Sequence, residues 1–246
     1  VHDTQTGTTT RVSLDSSGAQ ATGDSSSPSI SSSGRYITFE SNATNLSMTT
    51  VALTAGSTDG GVTHDGIIGT SVADAAGNTP PANWATGDPY VTVAADSNSS
   101  TDIFVRDTQT GTTTRVSLDS SGTQAVGGDS SSPSISSSED PLLDGRYVTF
   151  ESAATNLVVT TVALTAGSTD GGVTHDDIIG TSAADNAGNT PPAGGNDPIN
   201  WEAGDTYATV AVDTNGSIDI FVHDTQTGTT TRVSLDSSGA QAAGDS

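Results

Sequence analysis

A stretch of 21 residues occurs three times in this chain and constrains its fold more than any other feature. VHDTQTGTTTRVSLDSSGAQA, called the refrain below, occupies residues 1–21, returns at 105–125 with two changes, and returns unchanged at 222–242. Long self-similarity is the signature of a repeat architecture, in which each repeat buries its apolar face against a neighbour. The sequence therefore predicts a tandem array and not one large core.

The two full repeats differ in length. Val1 matches Val105 at an offset of 104, and Val105 matches Val222 at an offset of 117. The 13 extra residues are one Gly in AVGGDS, EDPLLD at 139–144 and GGNDPI at 194–199. These additions are rich in Gly, Pro, Asp or Asn, which indicates surface loops. The predicted units are a partial repeat at 1–25, a first unit at 26–129 and a second unit at 130–246.

Period-two alternation and turn residues predict four strands in each unit. In the second unit these strands are 133–136, 146–151, 219–223 and 230–235. The third is apolar on both faces and is expected to be central in its sheet. Gly228 lies where a short hairpin needs a positive φ. Four antiparallel strands in this order form one propeller-type blade, so the predicted fold class is all-β, with tandem four-stranded antiparallel blades.

The last predicted strand, 230–235, alternates between apolar and polar residues. Its pattern predicts Val233 and Leu235 on the inward face and Arg232 and Ser234 on the outward face. Each outward Arg is expected to pair with a nearby carboxylate on the surface, an interaction that contributes about 0–1 kcal/mol.

The strand segments resemble a known family. SPSISSSGRYITFES at 27–41 and DIFVRDTQTGTTTRVSLDSSG at 102–122 look like TolB-type propeller repeats, a WD-like blade class of large bacterial extracellular and surface proteins. The turn before the second strand departs from the usual Pro-Asp-Gly. A long insertion also separates the second and third strands, at about 47–95 and 158–212. The resemblance implies an extracellular or cell-surface location. Two blades and a fragment cannot close a ring, because propellers need four to eight blades.

The insertion belongs to the repeating design, since residues 49–82 and 160–193 differ at three positions. Its strand-like pieces at 161–166, 173–175 and 207–212 are expected to add a hairpin or an extra strand layer. Trp84 and Trp201 occupy equivalent places in the two insertions. A structural anchor of the insertion on the blade is the favoured interpretation, and a ligand platform is the alternative.

Two acidic loops carry the sharpest candidate site. Oxygen-bearing residues recur at every second position in both loops and are identical between them: Asp96, Asn98, Ser100 and Asp102, and Asp213, Asn215, Ser217 and Asp219. Alternate oxygen ligands at positions 1, 3, 5 and 7 are how a short loop wraps Ca²⁺. Neither the bidentate Glu at position 12 nor the Gly at position 6 of an EF-hand loop is present. The sequence predicts a truncated Ca²⁺ site in each loop.

Two other interpretations of these loops remain open. The first is an Asx turn, in which Asp and Asn cap their own backbone at the entry to a strand. The second is glycosylation, because N-x-S/T acceptors occur at Asn42, Asn45, Asn98 and Asn215. The sequons at Asn42 and Asn45 are lost in the second unit. Glycans are therefore a candidate partner alongside Ca²⁺.

A second polar motif, STDGGVTHD, occurs at 57–65 and 168–176. His64 and His175 stand beside Asp residues, which admits a metal cluster or an acid–base pair. A Gly-Gly hairpin whose His packs on a neighbouring strand is favoured over both. His2 and His223 are poor catalytic candidates, because the same position is Arg106 in the middle refrain.

Composition excludes several classes of function. The chain has 29 acidic residues against 6 Lys and Arg, a net charge of −23, and no Cys. Such a polyanion repels nucleic acid and anionic lipid. No apolar run approaches the ~20 residues that span a bilayer. The missing start Met predicts a processed product or a part of a longer polypeptide.

The leading functional hypothesis is an extracellular structural or surface protein that forms a fibre or stalk from head-to-tail copies, stabilised by Ca²⁺ and glycosylated. Copies of the chain are the expected partners, through head-to-tail contact or strand addition. The alternative is a ligand- or carbohydrate-binding propeller module of a larger adhesin. An enzyme is not expected, because the matched repeats mark no asymmetric active centre.

Overall fold

The chain is all-β and is built from several small antiparallel sheets, and no sheet among the described residues closes on itself. The computed structural model describes every residue except 60–61, 94–95, 97, 171–172, 186–188, 193–199, 211–212, 214 and 246, and it describes the backbone alone at 59, 62, 93, 170 and 210. Among the described residues, neither of the two helical turns has the length and apolarity needed to cross a bilayer. The predicted all-β class is confirmed.

The described residues form the following strands: β1 His2–Asp3, β2 Thr8–Thr9, β3 Ser25–Ile30, β4 Tyr36–Ser41, β5 Met48–Ala52, β6 Thr58–Asp59, β7 Val62–Thr63, β8 Pro89–Val93, β9 Asp102–Asp107, β10 Thr112–Arg115, β11 Ser130–Ile135, β12 Tyr147–Ser152, β13 Val159–Ala163, β14 Thr169–Asp170, β15 Val173–Thr174, β16 Thr206–Val210, β17 Asp219–Asp224 and β18 Thr229–Arg232. A 3₁₀ turn spans His64–Gly66, and the short helix α1 spans His175–Ile178. All strand pairs are antiparallel, as expected from tight turns between apolar runs.

The chain divides into two compact units. Unit 1 comprises Val1–Val116 and Ser131–Arg146, and unit 2 comprises Ser117–Ser130 and Tyr147–Ser246.

Unit 1 contains a four-stranded sheet in the order β10-β9-β4-β3, together with the isolated hairpin β1-β2. Phe39 of β4 lies opposite Phe104 of β9, and the two rings stack with centroids 5.9 Å apart. Leu46, Ile37 and Ala43 complete this buried cluster. Val12 and Ala21 of the first refrain pack against the same cluster. The core of this sheet is therefore completed by residues of the preceding repeat.

Unit 2 contains three strands of a second four-stranded sheet, β12, β17 and β18, and Ser130, the first residue of the fourth strand, β11. Phe150 lies opposite Phe221 with ring centroids 5.8 Å apart, which reproduces the pair of the first sheet. β17 lies between β12 and β18, as its apolar faces predict. Gly228 has a φ of 74° in the hairpin between β17 and β18, as predicted.

The predicted faces of the last strand are wrong. Thr230 and Arg232 are buried, whereas Val233 and Leu235 are 48% and 44% exposed. The strand also ends at Arg232 instead of continuing to residue 235. Arg232 shares a sheet face with Phe221, its register partner, and that face carries the buried carboxylate of Asp219. A buried carboxylate needs a cation, so Arg232 lies on the inward face although the alternation predicted it outward.

Each insertion forms a two-stranded sheet, β5-β8 in the first repeat and β13-β16 in the second, with a small hairpin between the strands. The predicted hairpin is confirmed, although residues 211–212 at the end of the predicted piece 207–212 lie outside the described residues. Val162, Leu164, Trp201 and Tyr207 form the insertion core of the second repeat. The insertion thus supplies its own apolar cluster.

Candidate functional site

The second acidic loop, residues 213–219, leads directly into the central strand β17. The Oδ1 atom of Asp213 accepts the backbone N–H groups of Asn215 and Gly216 at 3.2 and 3.1 Å. The Oδ1 atom of Asn215 accepts the N–H of Ser217 at 2.8 Å. Gly216 adopts a φ of 62°, a left-handed conformation that glycine reaches without steric cost. The loop therefore has the Asx-turn geometry of the alternative interpretation.

The predicted ligand atoms of this loop converge on a single point. The Nε2 atom of Gln241 lies 2.8 Å from Asp213 Oδ1, 2.8 Å from Asn215 Oδ1 and 2.9 Å from Asp219 Oδ2. An amide NH₂ group has two protons, so the three oxygens share them. Ser217 contributes its backbone N–H to Asn215. The fold thus brings three of the four predicted ligand side chains together, around the amide nitrogen of Gln241.

Asp219 is the most deeply placed member of this cluster, at 2% exposed. Its Oδ1 atom accepts the hydroxyl proton of Ser234 at 2.8 Å. Its Oδ2 atom lies 3.2 Å from the Nε atom of Arg232, whose guanidinium lies over the ring of Phe221. Because both charges are buried, each one depends on the other for compensation.

The electrostatics of the cluster favour the charged form of Asp213. Burial alone would raise the pKa of this carboxyl, but the hydrogen bonds from Gln241, Gly216 and Asn215, together with the charge of Arg232, lower the pKa below its usual range. Asp213 is therefore a carboxylate at neutral pH and presents a full negative charge beside Asp219.

The first acidic loop, residues 96–102, repeats the same backbone pattern. Asp96 Oδ1 accepts the N–H of Ser99 at 3.3 Å, and Asn98 Oδ1 accepts the N–H of Ser100 at 2.9 Å. Ser99 has a φ of 55° at the position of Gly216. Asp102 lies 3.1 Å from the Nε atom of Arg115. Both loops are therefore Asx turns that end on a buried Asp–Arg pair.

The donor set fits a hard cation in type but not in number. Ca²⁺ takes six to eight oxygens at 2.3–2.6 Å, and it accepts carboxylate and amide oxygens. In the described part of the chain, no three His, Asp or Glu side chains stand together as a metal group. Each acidic loop offers two carboxylates, one amide and one hydroxyl. A cation at this point would take the place of the Gln241 amide, and the remaining ligands would have to come from water or from the backbone.

The four predicted glycosylation sites differ in the environment of their side chains. Asn215 donates its Nδ2 proton to the carbonyl of Ala242 at 2.6 Å, and Asn45 donates to the carbonyl of Gln20 at 2.9 Å. Asn98 is half-buried. Asn42 is exposed and uses its Oδ1 atom to accept the N–H of Asp24. A glycosyltransferase must reach the amide nitrogen, so Asn42 is the most accessible of the four acceptors.

The motif STDGGVTHD forms a hairpin, β6-β7 and β14-β15, as favoured from the sequence. The Nδ1 atom of His175 accepts the N–H of Thr165 at 2.7 Å and lies 2.8 Å from Ser168 Oγ. Asp176 accepts the N–H of Gly167 at 2.9 Å. The His and this Asp are thus engaged within the insertion. The side chains of Asp59 and Asp170 lie outside the described residues.

Both Trp side chains are buried, with Trp84 at 6% and Trp201 at 2% exposed. Trp201 packs edge-on against Tyr207 with ring centroids 5.2 Å apart, and its Nε1 proton goes to the carbonyl of Ala183 at 2.8 Å. The prediction that each Trp anchors the insertion on the blade differs from these contacts, whose partners belong to the insertion. Each Trp packs in the core of its own insertion.

Two residues that make several polar contacts in the structure were not among the candidate site residues predicted from the sequence. Gln241 gave no metal or catalytic signal, although a Gln occupies the same position in all three refrains, as Gln20 and Gln124. Asp144 belongs to the loop EDPLLD, and its carboxylate accepts hydroxyl protons from Ser31 at 2.9 Å and from Ser33 at 2.5 Å. Hydrogen bonds from these hydroxyl groups lower the pKa of Asp144 far below its usual range, and the largest contribution comes from Ser33.

Comparison with known proteins identifies no relative: no family model, no curated protein and no solved structure matches this chain. The resemblance to TolB-type propeller repeats consequently stays a prediction from the sequence segments.

Proposed function

We propose that this chain is a structural repeat protein of the bacterial cell surface or extracellular space, in which propeller-type blades join head to tail. One observation carries the proposal. The same contact links a refrain loop to the outer strand of the next repeat twice, at Ser16 with Thr113 and at Ser120 with Thr230. A contact that recurs at each repeat favours a chain built for extension, because every added repeat is joined in the same way.

The polar surface supports the same proposal. A net charge of −23 keeps chains apart in water unless a specific contact or a cation joins them. An array of these repeats carries paired carboxylates in every acidic loop, and divalent cations relieve such repulsion. We therefore include Ca²⁺ at the acidic loops in the proposal, together with a glycan at Asn42.

The alternative of a carbohydrate-binding module has less support. Both Trp side chains, the residues that the sequence offered as a ligand platform, are buried in the insertion cores. A structural array needs no such platform.

Assembly is tested by electron microscopy and light scattering of the purified chain in Ca²⁺. Extended particles that lengthen with protein concentration are expected. Compact particles of fixed size at every concentration contradict the proposal.

The calcium component is tested separately by thermal unfolding in Ca²⁺ and in EDTA. A ligand that binds the folded state alone stabilises it by about 2.7 kcal/mol at 100 times its Kd. We expect Ca²⁺ to raise the Tm of the native chain and EDTA to remove the increase. The double variant Asp96→Asn with Asp213→Asn should lose the response. Asp119→Asn with Asp236→Asn removes the same charge from Asx turns outside the acidic loops and should keep it.

A further inference from the structure

The second acidic loop contains the only Asn-Gly pair of the sequence, Asn215-Gly216. A backbone nitrogen can attack the side-chain amide of the Asn that precedes it, and a side chain on the attacking residue hinders this approach. Glycine has no Cβ, so the nitrogen of Gly216 is unshielded. The first acidic loop has Ser99 at the same position. The two loops therefore differ at the residue that controls how fast an Asn reacts with its own backbone.

The attacking group of such a reaction is the backbone N–H of Gly216, and it donates to Asp213 Oδ1 at 3.1 Å. A carboxylate within hydrogen-bond distance of the proton that must leave is positioned as a general base. Gly216 is exposed, and a Cβ added to it meets no other atom within 4 Å. The fold therefore places a base on the attacking nitrogen and leaves this end of the loop open to water.

The side-chain amide of Asn215 is the group to be attacked, and its oxygen has two hydrogen-bond donors. The Oδ1 atom accepts the backbone N–H of Ser217 at 2.8 Å and lies 2.8 Å from Gln241 Nε2. Two donors on one carbonyl oxygen stabilise the negative charge that develops there when a nucleophile adds to the carbon. The Nδ2 atom, which must leave, donates to the carbonyl of Ala242 at 2.6 Å. The amide is thus held with its oxygen in the position of an oxyanion.

We propose that Asn215 is a site of self-catalysed deamidation. The nitrogen of Gly216 forms a bond to Cγ of Asn215 while Asp213 takes the proton of that nitrogen, and the bond from Cγ to Nδ2 breaks. The proton passes to the departing nitrogen, which leaves as ammonia, and the carboxylate of Asp213 is regenerated. A water molecule then opens the five-membered succinimide ring and leaves an aspartate or an isoaspartate at this position. The reaction therefore consumes one water molecule and releases one ammonia.

The product adds a carboxylate at a point where two carboxylates already converge. Oxygen atoms of Asp213, Asn215 and Asp219 all lie within 2.9 Å of the amide nitrogen of Gln241. Deamidation also removes the N-x-S acceptor at Asn215, so a chain changed there carries no glycan at this position. The reaction requires neither assembly of the repeats nor Ca²⁺. The second acidic loop therefore gains negative charge with time and ceases to match the first loop.

The first acidic loop is an internal control for this reaction. Asp96 Oδ1 accepts the N–H of Ser99 at 3.3 Å. Asn98 Oδ1 accepts the N–H of Ser100 at 2.9 Å. Ser99 has a φ of 55°, against 62° for the equivalent glycine. The backbone arrangement is therefore shared, and the serine side chain is the difference at the attacking nitrogen. Asn98 should stay an amide over the period in which Asn215 reacts.

Peptide mapping by mass spectrometry tests the proposal on the unaltered chain. The full chain is incubated at neutral pH, folded in buffer or unfolded in urea, and the deamidated fraction is followed at Asn215 and Asn98. Because a positioned base accelerates a proton transfer, we expect Asn215 to deamidate faster in the folded chain than in urea, by about ten-fold or more. Asn98 should react slowly in both states. A folded chain in which Asn215 reacts no faster than in urea overturns the proposal, since the fold then protects the amide.

Three variants separate the base from the attacking nitrogen. Asp213→Asn keeps the shape of the side chain and removes the base, so it should slow the reaction in the folded chain by about ten-fold and leave the rate in urea unchanged. Asp236→Asn makes the same change in an Asx turn outside the acidic loops and should have no effect. Gly216→Ser copies the first loop and should slow the reaction in both states. Equal rates for folded Asp213→Asn and Asp236→Asn show that Asp213 is not the base and overturn the self-catalysed step.

Discussion

The insertions and the sheets bury their apolar residues in opposite ways. Each insertion fills its core from its own segment: Val162, Leu164, Trp201 and Tyr207 all lie between β13 and the end of β16. The first sheet instead takes Val12 and Ala21 from the preceding refrain. A locally completed core can form by itself, whereas a core completed by a neighbour couples each repeat to the one before it. We therefore expect the first sheet to unfold together with the preceding refrain, and the insertion cores to unfold independently.

The largest effect is expected from emptying an insertion core. Trp201→Ala removes a fully buried ring and should cost about 3–5 kcal/mol. Because the contacts of Trp201 lie within the insertion, hydrogen exchange should accelerate in β13 and β16 and stay slow in β17. Trp201→Phe keeps most of the apolar volume and serves as the control. Equal acceleration in β17 shows that insertion and sheet unfold together, which contradicts the comparison.

The buried ion pair of the second sheet gives the next effect. Arg232→Met leaves the carboxylate of Asp219 buried without its cation, and we expect a loss of about 3 kcal/mol in urea unfolding. Adding Asp219→Asn removes the buried, uncompensated carboxylate and should restore much of that stability. A double variant no more stable than Arg232→Met means that the pair contributes through packing on Phe221 and not through charge.

A smaller difference in stability is expected between alanine substitutions of the glycines in two equivalent turns. Gly34 and Gly145 have φ values of 73° and 74°, so an added Cβ costs about 1–2 kcal/mol at either position. A Cβ at Gly145 would in addition lie 2.2 Å from the ring of Tyr36, whereas Gly34 has open space around it. Gly145→Ala should therefore be the more destabilising change, by about 1–3 kcal/mol of overpacking. Equal losses in unfolding measurements mean that the Tyr36 ring moves aside without cost.

The smallest effect depends on pH. The guanidinium of Arg35, 2.6 Å from Asp107, together with the N–H groups of Gln109 and Thr110, lowers the pKa of Asp107 to about 2. A depressed carboxyl pKa contributes stability above its unfolded value of about 3.9, and this contribution is lost as the pH falls towards 2. Asp107→Asn should lower the Tm at pH 7, and the difference should shrink as the pH falls from about 4 towards 2 and disappear below that pH. A constant difference across this range argues against the ion pair.

Much of the architecture follows from the sequence because it depends on local pattern. The repeats, the strands and the loop EDPLLD were predictable, since alternation and turn residues act over a few positions. The predicted loop GGNDPI at 194–199 lies outside the described residues. The Asx turns of the acidic loops were one of the interpretations open from the sequence. The inward face of β18 was not predictable, because Arg232 turns inward to reach Asp219, 13 residues earlier in the chain.

The sequence by itself determined an acidic, all-β repeat chain whose acidic loops hold oxygen ligands at alternate positions. Only the tertiary structure decided which side chain contacts those oxygen atoms and which residues join consecutive repeats. Gln241 reaches Asp213 from 28 residues away, and Ser120 meets Thr230 from 110 residues away. Such contacts pair polar groups that are distant along the chain, and the local alternation of residues does not encode them. They form because buried polar groups must find partners once the strands have set the backbone in place.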